Sequence, residues 1–113
     1  MSKKLVFYAF QGEKMCFTHL LINAIDMKEK GHDVKIVIEG KATKLAKEFL
    51  EEENNVFKNT IDLGLIDSIC KACSNQMGVL EYLEGTDLPI NGDLHGHPPM
   101  EPYLGEGYQI VVL

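Results

Sequence analysis

No stretch of this chain is apolar for the roughly 18 residues that a membrane-spanning helix needs. The apolar run nearest the N-terminus, Leu5 to Phe10, is six residues long. That is too short for a secretory signal core, and no small-residue cleavage pattern follows it. Basic residues are scarce in the second half: of 11, only Lys71 lies beyond Lys58, and the net charge is −6. Phosphate contacts need clustered lysine and arginine, so nucleic acid is excluded as a partner, and the acidic C-terminal half serves solubility. Cysteine is also scarce, and its count of three is odd. A secreted disulfide scaffold is denser in cysteine and even in number. These absences leave a cytoplasmic protein with reduced thiols.

Other patterns are missing as well. Phe10-Gln11-Gly12-Glu13, where a phosphate loop would follow the first strand, lacks both Gly-rich nucleotide motifs. Glu13 would also repel phosphate. There is no nucleophile elbow and no Ser-His-Asp pattern, and no internal repeat, linker or low-complexity tract. The 113 residues, 45% apolar and 25% charged, suit one globular domain spanning 1–113.

What is present is alternation. Leu5 to Phe10 is a nearly continuous apolar run of β-formers, the mark of a strand buried on both faces. Phe17, Leu20, Leu21, Ala24 and Ile25 recur at helical spacing, predicting a helix over about 14–30 that stops at Gly31. Val34 to Ile38 reads as a second strand, and Leu45, Ala46, Phe49 and Leu50 mark a second helix fading into Glu51 to Asn55. Val56 to Leu63 reads as a short helix, Leu65 to Ile69 as a third strand, and about Ser74 to Leu83 as a helix ending near Gly85. Leu88 to Ile90 is a short edge strand and Tyr108 to Leu113 a final strand. Between them, Asn91 to Gly107 is a Gly/Pro-rich loop, long enough to suggest function. The pattern predicts an α/β single-domain, flavodoxin-like three-layer fold with a mostly parallel sheet. Active sites in such sheets gather beyond the carboxyl ends of the strands. Gln11 to Cys16, Glu39 to Lys41 and Cys70 to Cys73 fall at that edge. In a flavodoxin-like order the first and third strands are neighbours, which would bring Cys16 toward Cys70.

Cys70-Lys71-Ala72-Cys73 carries the most chemistry. If a helix begins near Lys71, both thiols lie at its positive end with Lys71 beside them, and these effects lower a thiol's pKa toward neutrality. Such a thiolate can accept a sulfur atom, and Cys73 can release it by attacking Cys70 and closing a disulfide. A thioredoxin fold is disfavoured, because two strand–helix units precede the pair. Two other readings stay open. The cysteines can be small core residues, or half of a metal site closed by His95 or His97, with Cys16 and His19 further back. His95-Gly96-His97-Pro98-Pro99 can equally be a rigid turn with solvated imidazoles, or supply one histidine that tunes a thiol.

The strand Leu5 to Phe10, the long helix ending at Gly31-His32-Asp33-Val34, and above all Ile69-Cys70-Lys71-Ala72-Cys73-Ser74-Asn75-Gln76-Met77-Gly78-Val79 resemble the DsrE-like family of small sulfur-relay proteins. In its sulfur-relay members a strand ends in a cysteine, and the helix that follows carries a glycine eight positions later, as Cys70 and Gly78 do here. The resemblance implies a sulfur-carrying role for Cys70, sulfur donor and acceptor proteins as partners, and a homotrimer or homohexamer. Cys73 and the Gly-His-Pro-Pro loop depart from the simplest pattern. The expectation is a cytoplasmic sulfur carrier or thiol-redox protein, a sulfurtransferase or sulfur-relay protein in activity, with Cys70 as persulfide site, Cys73 as resolving thiol, Lys71 as electrostatic support and no cofactor. The alternative is a non-enzymatic metal-binding or sensing module built on the same cysteines and the loop histidines. A purely structural subunit of a hetero-oligomer is the third reading.

Overall fold

The computed structural model describes residues 2–113. Five strands, β1 (Lys4–Ala9), β2 (Asp33–Ile38), β3 (Ile66–Cys70), β4 (Ile90–Asn91) and β5 (Gln109–Val112), form one all-parallel sheet in the order β4-β3-β2-β1-β5. Five of the six β1 residues are buried, as a strand covered on both faces requires. Six helices connect the strands: α1 (Lys14–Glu29), α2 (Ala42–Glu51), α3 (Asn55–Asp62), α4 (Lys71–Gln76), α5 (Leu80–Glu84) and α6 (Glu101–Gly105).

The strand order fixes where the helices go. From β1 to β4 each step moves in the same direction across the sheet, so right-handed crossovers put the connecting helices on one face. The main core lies there. Phe7, Ile36 and Ile38 meet Phe17 and Leu21 of α1, Phe49 of α2, Phe57 of α3 and Leu83 of α5. Phe17, Phe49 and Phe57 knit three helices into one aromatic cluster with ring centroids 5.1–6.1 Å apart. The chain then returns from β4 to the far side of β1, and residues 92–107 cross the opposite face. There Tyr103 of α6 and Tyr108 cover Val6, Tyr8 and Val37.

The α/β single-domain class and the parallel sheet agree with the sequence reading, but three details differ. β2 lies between β1 and β3, so the expected contact between first and third strands does not form. The helix expected over about 74–83 is two helices, because Gly78 takes φ +73° and its N–H bonds back to Asn75, closing α4 before α5 begins. The Asn91–Gly107 segment is not all loop. It holds α6, with Pro102 in its first turn, where a missing N–H costs nothing.

Candidate functional site

The site is built at the carboxyl edge of β2 and β3. Val37 pairs with Ser68 and Ile38 with Ile69. The two-residue period of the strands then carries Glu39 and Cys70 onto the same side at the strand ends. Cys70 is also the N-cap of α4, and its Sγ accepts the N–H of Cys73 at 3.4 Å. Cys73 therefore sits in the first turn with its thiol facing the same space. Ser74 Oγ donates to the Cys70 carbonyl at 2.7 Å. Thr43 Oγ1 donates to the carbonyls of Gly40 at 2.8 Å and Cys73 at 3.4 Å, tying the end of β2 to α4.

The fourth member arrives from the return segment. Leu94 and His97 exchange two backbone hydrogen bonds of 2.8 Å, around His95 (φ 50°) and Gly96 (φ +92°). Two positive φ angles at the centre of a two-residue turn are what a type I′ turn demands. The turn is pinned over α4 by the Ala72 N–H, which donates to the Gly96 carbonyl at 2.8 Å. A Cβ at Gly96 would lie 2.9 Å from the Cβ of Ala72, so only glycine permits this approach. Pinning the turn aims His97 at the thiols. Its Nδ1 is 3.0 Å from Cys70 Sγ, 3.9 Å from Cys73 Sγ and 3.6 Å from Glu39 Oε1.

One ligand-type atom from each of Glu39, Cys70, Cys73 and His97 lies within 4.8 Å of all the others. Glu39 is 6% exposed and Cys70 is fully buried, Cys73 is half-buried, and His97 is open to solvent on one side. Burial drives the electrostatics. It pushes the Cys70 thiol up to about 12 against the opposing Cys73 N–H, with the Cys73 thiol and the Glu39 charge adding to the rise. It raises the Glu39 carboxyl too, while His97 and the Cys70 thiol pull it back.

This corrects the expectation that the helix start and Lys71 lower the thiol pKa. One N–H is outweighed by desolvation. Lys71 is exposed, its stem runs beside Gly92, and it is not among the groups acting on Cys70. The charged neighbour of Cys70 is the Glu39 carboxylate instead.

Of the residues singled out from sequence, Cys70, Cys73 and His97 come together. His95 lines a cavity of about 580 Å³ beside them, bounded also by Phe10, Glu39, Leu94, Pro98 and Met100. Cys16 is exposed in the first turn of α1 and is not part of the cluster, since β2 separates β1 from β3. His19 faces Asn23 on α1, likewise outside it. The sequence places Glu39 at this edge, and the structure makes it a member of the cluster. Its signal is a carboxylate directly after the apolar run Ile36 to Ile38, followed by Gly40, whose φ of +55° turns the chain away.

The cluster can do two kinds of chemistry: thiol exchange with a base at hydrogen-bond distance, or coordination of a cation. No helix among the described residues is long and apolar enough to cross a membrane.

No family profile matches the chain, and neither does any solved structure. Two archaeal proteins are similar to it. An uncharacterized protein of Archaeoglobus fulgidus is 35% identical over 51 residues, which cover 45% of this chain and 84% of that shorter one. The uncharacterized protein MJ0733 of Methanocaldococcus jannaschii is 36% identical over 108 residues, covering 95% of this chain and 88% of its own. With that identity over nearly its whole length, the chain belongs to the same family as MJ0733.

Proposed function

We propose that this protein is a thiol-based sulfur carrier in which Cys70 holds the transferred sulfur as a persulfide. The observation that carries the reading is the 3.0 Å approach of His97 Nδ1 to Cys70 Sγ, a nucleophile and a base at hydrogen-bond distance. The base answers the problem that burial sets. A thiol pushed up to about 12 stays protonated and inert at neutral pH until its proton has somewhere to go. In the loading step Cys70 Sγ attacks the outer sulfur of a donor persulfide. The new S–S bond forms as the donor's S–S bond breaks, and the Cys70 proton passes through His97 to the departing donor thiolate.

Cys73 then serves as the resolving thiol. Its sulfur attacks the inner sulfur of the Cys70 persulfide, hydrosulfide leaves, and a Cys70–Cys73 disulfide remains. A thiol reductant restores the pair with two electrons. Cys73 is the more exposed of the two, as a group that meets an incoming reductant should be. The apolar cavity beside Glu39 and His97 offers the approach for the exchanging group. The partners of this reading are sulfur donor and acceptor proteins in the reducing cytoplasm. The protein would act as a closed homo-oligomer, a trimer or hexamer, and exposed apolar side chains such as Met15, Ile22, Leu104 and Val112 are available for such contacts.

The test is sulfur transfer from a low-molecular-weight persulfide labelled in its outer sulfur. One label per chain is expected, released by thiol, absent from Cys70→Ser and longer-lived in Cys73→Ser. Loading that persists unchanged in Cys70→Ser overturns the assignment.

A further inference from the structure

We infer that Glu39, Cys70, Cys73 and His97 form a binding site for one soft or borderline divalent cation of the zinc class. Sulfur exchange requires the two thiols and one base. It does not require a buried carboxylate, nor that every group face the same nitrogen. Proton transfer between Cys70 and His97 engages one sulfur and one nitrogen. Here Cys70 Sγ, Cys73 Sγ and Glu39 Oε1 all approach Nδ1 of His97. Four donor atoms mutually within 4.8 Å leave one common centre for a cation.

The distances support this. Ligand bonds of about 2.3 Å to sulfur and about 2.0–2.1 Å to nitrogen or oxygen, set at tetrahedral angles, put donor atoms roughly 3.3–3.8 Å apart. The separations from His97 Nδ1 are 3.0, 3.9 and 3.6 Å, and no pair in the set exceeds 4.8 Å. Changes of up to about 1 Å in these separations would complete the tetrahedron. Charge points the same way. Glu39 is almost fully buried and, among the described residues, its one ion-pair partner is His97, a cation only when its imidazole is protonated. A buried carboxylate ordinarily has a cationic partner. Two sulfurs, one imidazole and one carboxylate exclude magnesium and calcium, which take all-oxygen sets, and suit zinc or a neighbouring transition metal. The ligands come from the end of β2, β3 with α4, and the return segment, and the Ala72 N–H to the Gly96 carbonyl and the Thr43 hydroxyl to the Cys73 carbonyl brace these elements together.

This inference does not rest on the sulfur-carrier reading. A bound cation would take both thiols as ligands, so metal and persulfide are alternative occupants of one site.

The experiment is anaerobic titration of the reduced, metal-free full chain with cobalt(II) and then zinc. The expected result is one cobalt per chain, with a sulfur-to-metal charge-transfer band that zinc abolishes. Cys70→Ser, Cys73→Ser, His97→Ala and Glu39→Ala should each weaken binding by more than about 100-fold, beyond the 10–100-fold typical of outer-shell partners. His95→Ala should leave it unchanged. Zinc should also protect Cys70 and Cys73, but not Cys16, from alkylation in the unaltered protein, a readout that survives if a variant fails to fold. Absence of stoichiometric binding, or binding indifferent to both His97→Ala and Glu39→Ala, overturns the inference. Failure of persulfide loading leaves this titration unaffected, so the two readings fail separately.

Discussion

Gly96→Ala tests how the site is assembled without removing any of its functional groups. The position has φ +92°, and an added Cβ would meet the Cβ of Ala72 at 2.9 Å, against about 3.5–4.0 Å for a comfortable carbon contact. A left-handed conformation costs an ordinary residue about 1–2 kcal/mol, partly offset by the roughly 0.4–1 kcal/mol gained from a stiffer unfolded chain. Forcing the turn away from α4 adds about 1–3 kcal/mol of overpacking. Gly107 is the control, because its φ is +88° with nothing within 4 Å of the added Cβ. Unfolding entropy of about 2.1 cal/mol/K per residue over 113 residues gives roughly 0.24 kcal/mol/K, or about 4 °C per kcal/mol. Gly107→Ala should then lower the melting temperature by about 4 °C and Gly96→Ala by about 8–16 °C. Only Gly96→Ala should also slow persulfide loading and weaken cobalt binding, since only it moves His97. Thermal melts followed by circular dichroism, with the two binding assays, supply the comparison. Equal losses in the two variants, or an intact site in Gly96→Ala, would refute the close-approach reasoning.

Limiting iodoacetamide at neutral pH should modify exposed Cys16 first, half-buried Cys73 next and Cys70 last, read by peptide mass mapping. Cys70 reacting first would contradict the burial argument. Alkaline pH should destabilise the fold. Burial raises Tyr8 and Tyr108 from 10.0 to about 12, and burial followed by the hydroxyl's hydrogen bond to Asp67 raises Tyr103 as well. The unfolded chain releases these protons first, so stability is complete below pH 10 and falls as pH rises toward 12. Melting temperatures across pH 8–12 measure the slope, and a flat profile above pH 10 would count against it. Asn54→Ala should cost about 1 kcal/mol in urea unfolding, because the Asn54 side chain accepts the Phe57 N–H at 3.0 Å as the N-cap of α3. Phe57→Ala should cost about 3–5 kcal/mol, removing a fully buried ring that touches both Phe17 and Phe49.

The elements were legible where local chemistry decides them. Leu5 to Phe10 is apolar without alternation, and Val34 to Ile38 is interrupted only by Lys35, because the sheet is covered on both faces, and composition alone carries that signal. Gly31 and Gly78 both stop helices with positive φ, yet the apolar spacing of Met77, Val79, Leu80 and Leu83 masked the second stop. Met77 and Val79 lie in the turn between the two helices, and Leu80 and Leu83 on α5. α6 was hidden in a Gly/Pro-rich segment because five residues are too few to show a period. The strand order was out of reach, since both a β1–β3 and a β1–β2 neighbourhood satisfy the same local pattern. The observed order keeps Cys16 away from Cys70 and sends the return segment back across the sheet from β4 to β5. His97 and Glu39 join the thiols through long-range topology. Lys71 is adjacent to Cys70 in sequence, but the first turn of α4 carries it to the surface.

The most direct measurement is the intact mass of the native protein, purified without exposure to oxygen, before and after a thiol reductant. Sulfur carriage at Cys70 predicts a species heavier by about 32 Da, lost on reduction and absent from Cys70→Ser. A native protein that shows only free thiols or a bare disulfide, and gains no mass when given a persulfide donor, would contradict it.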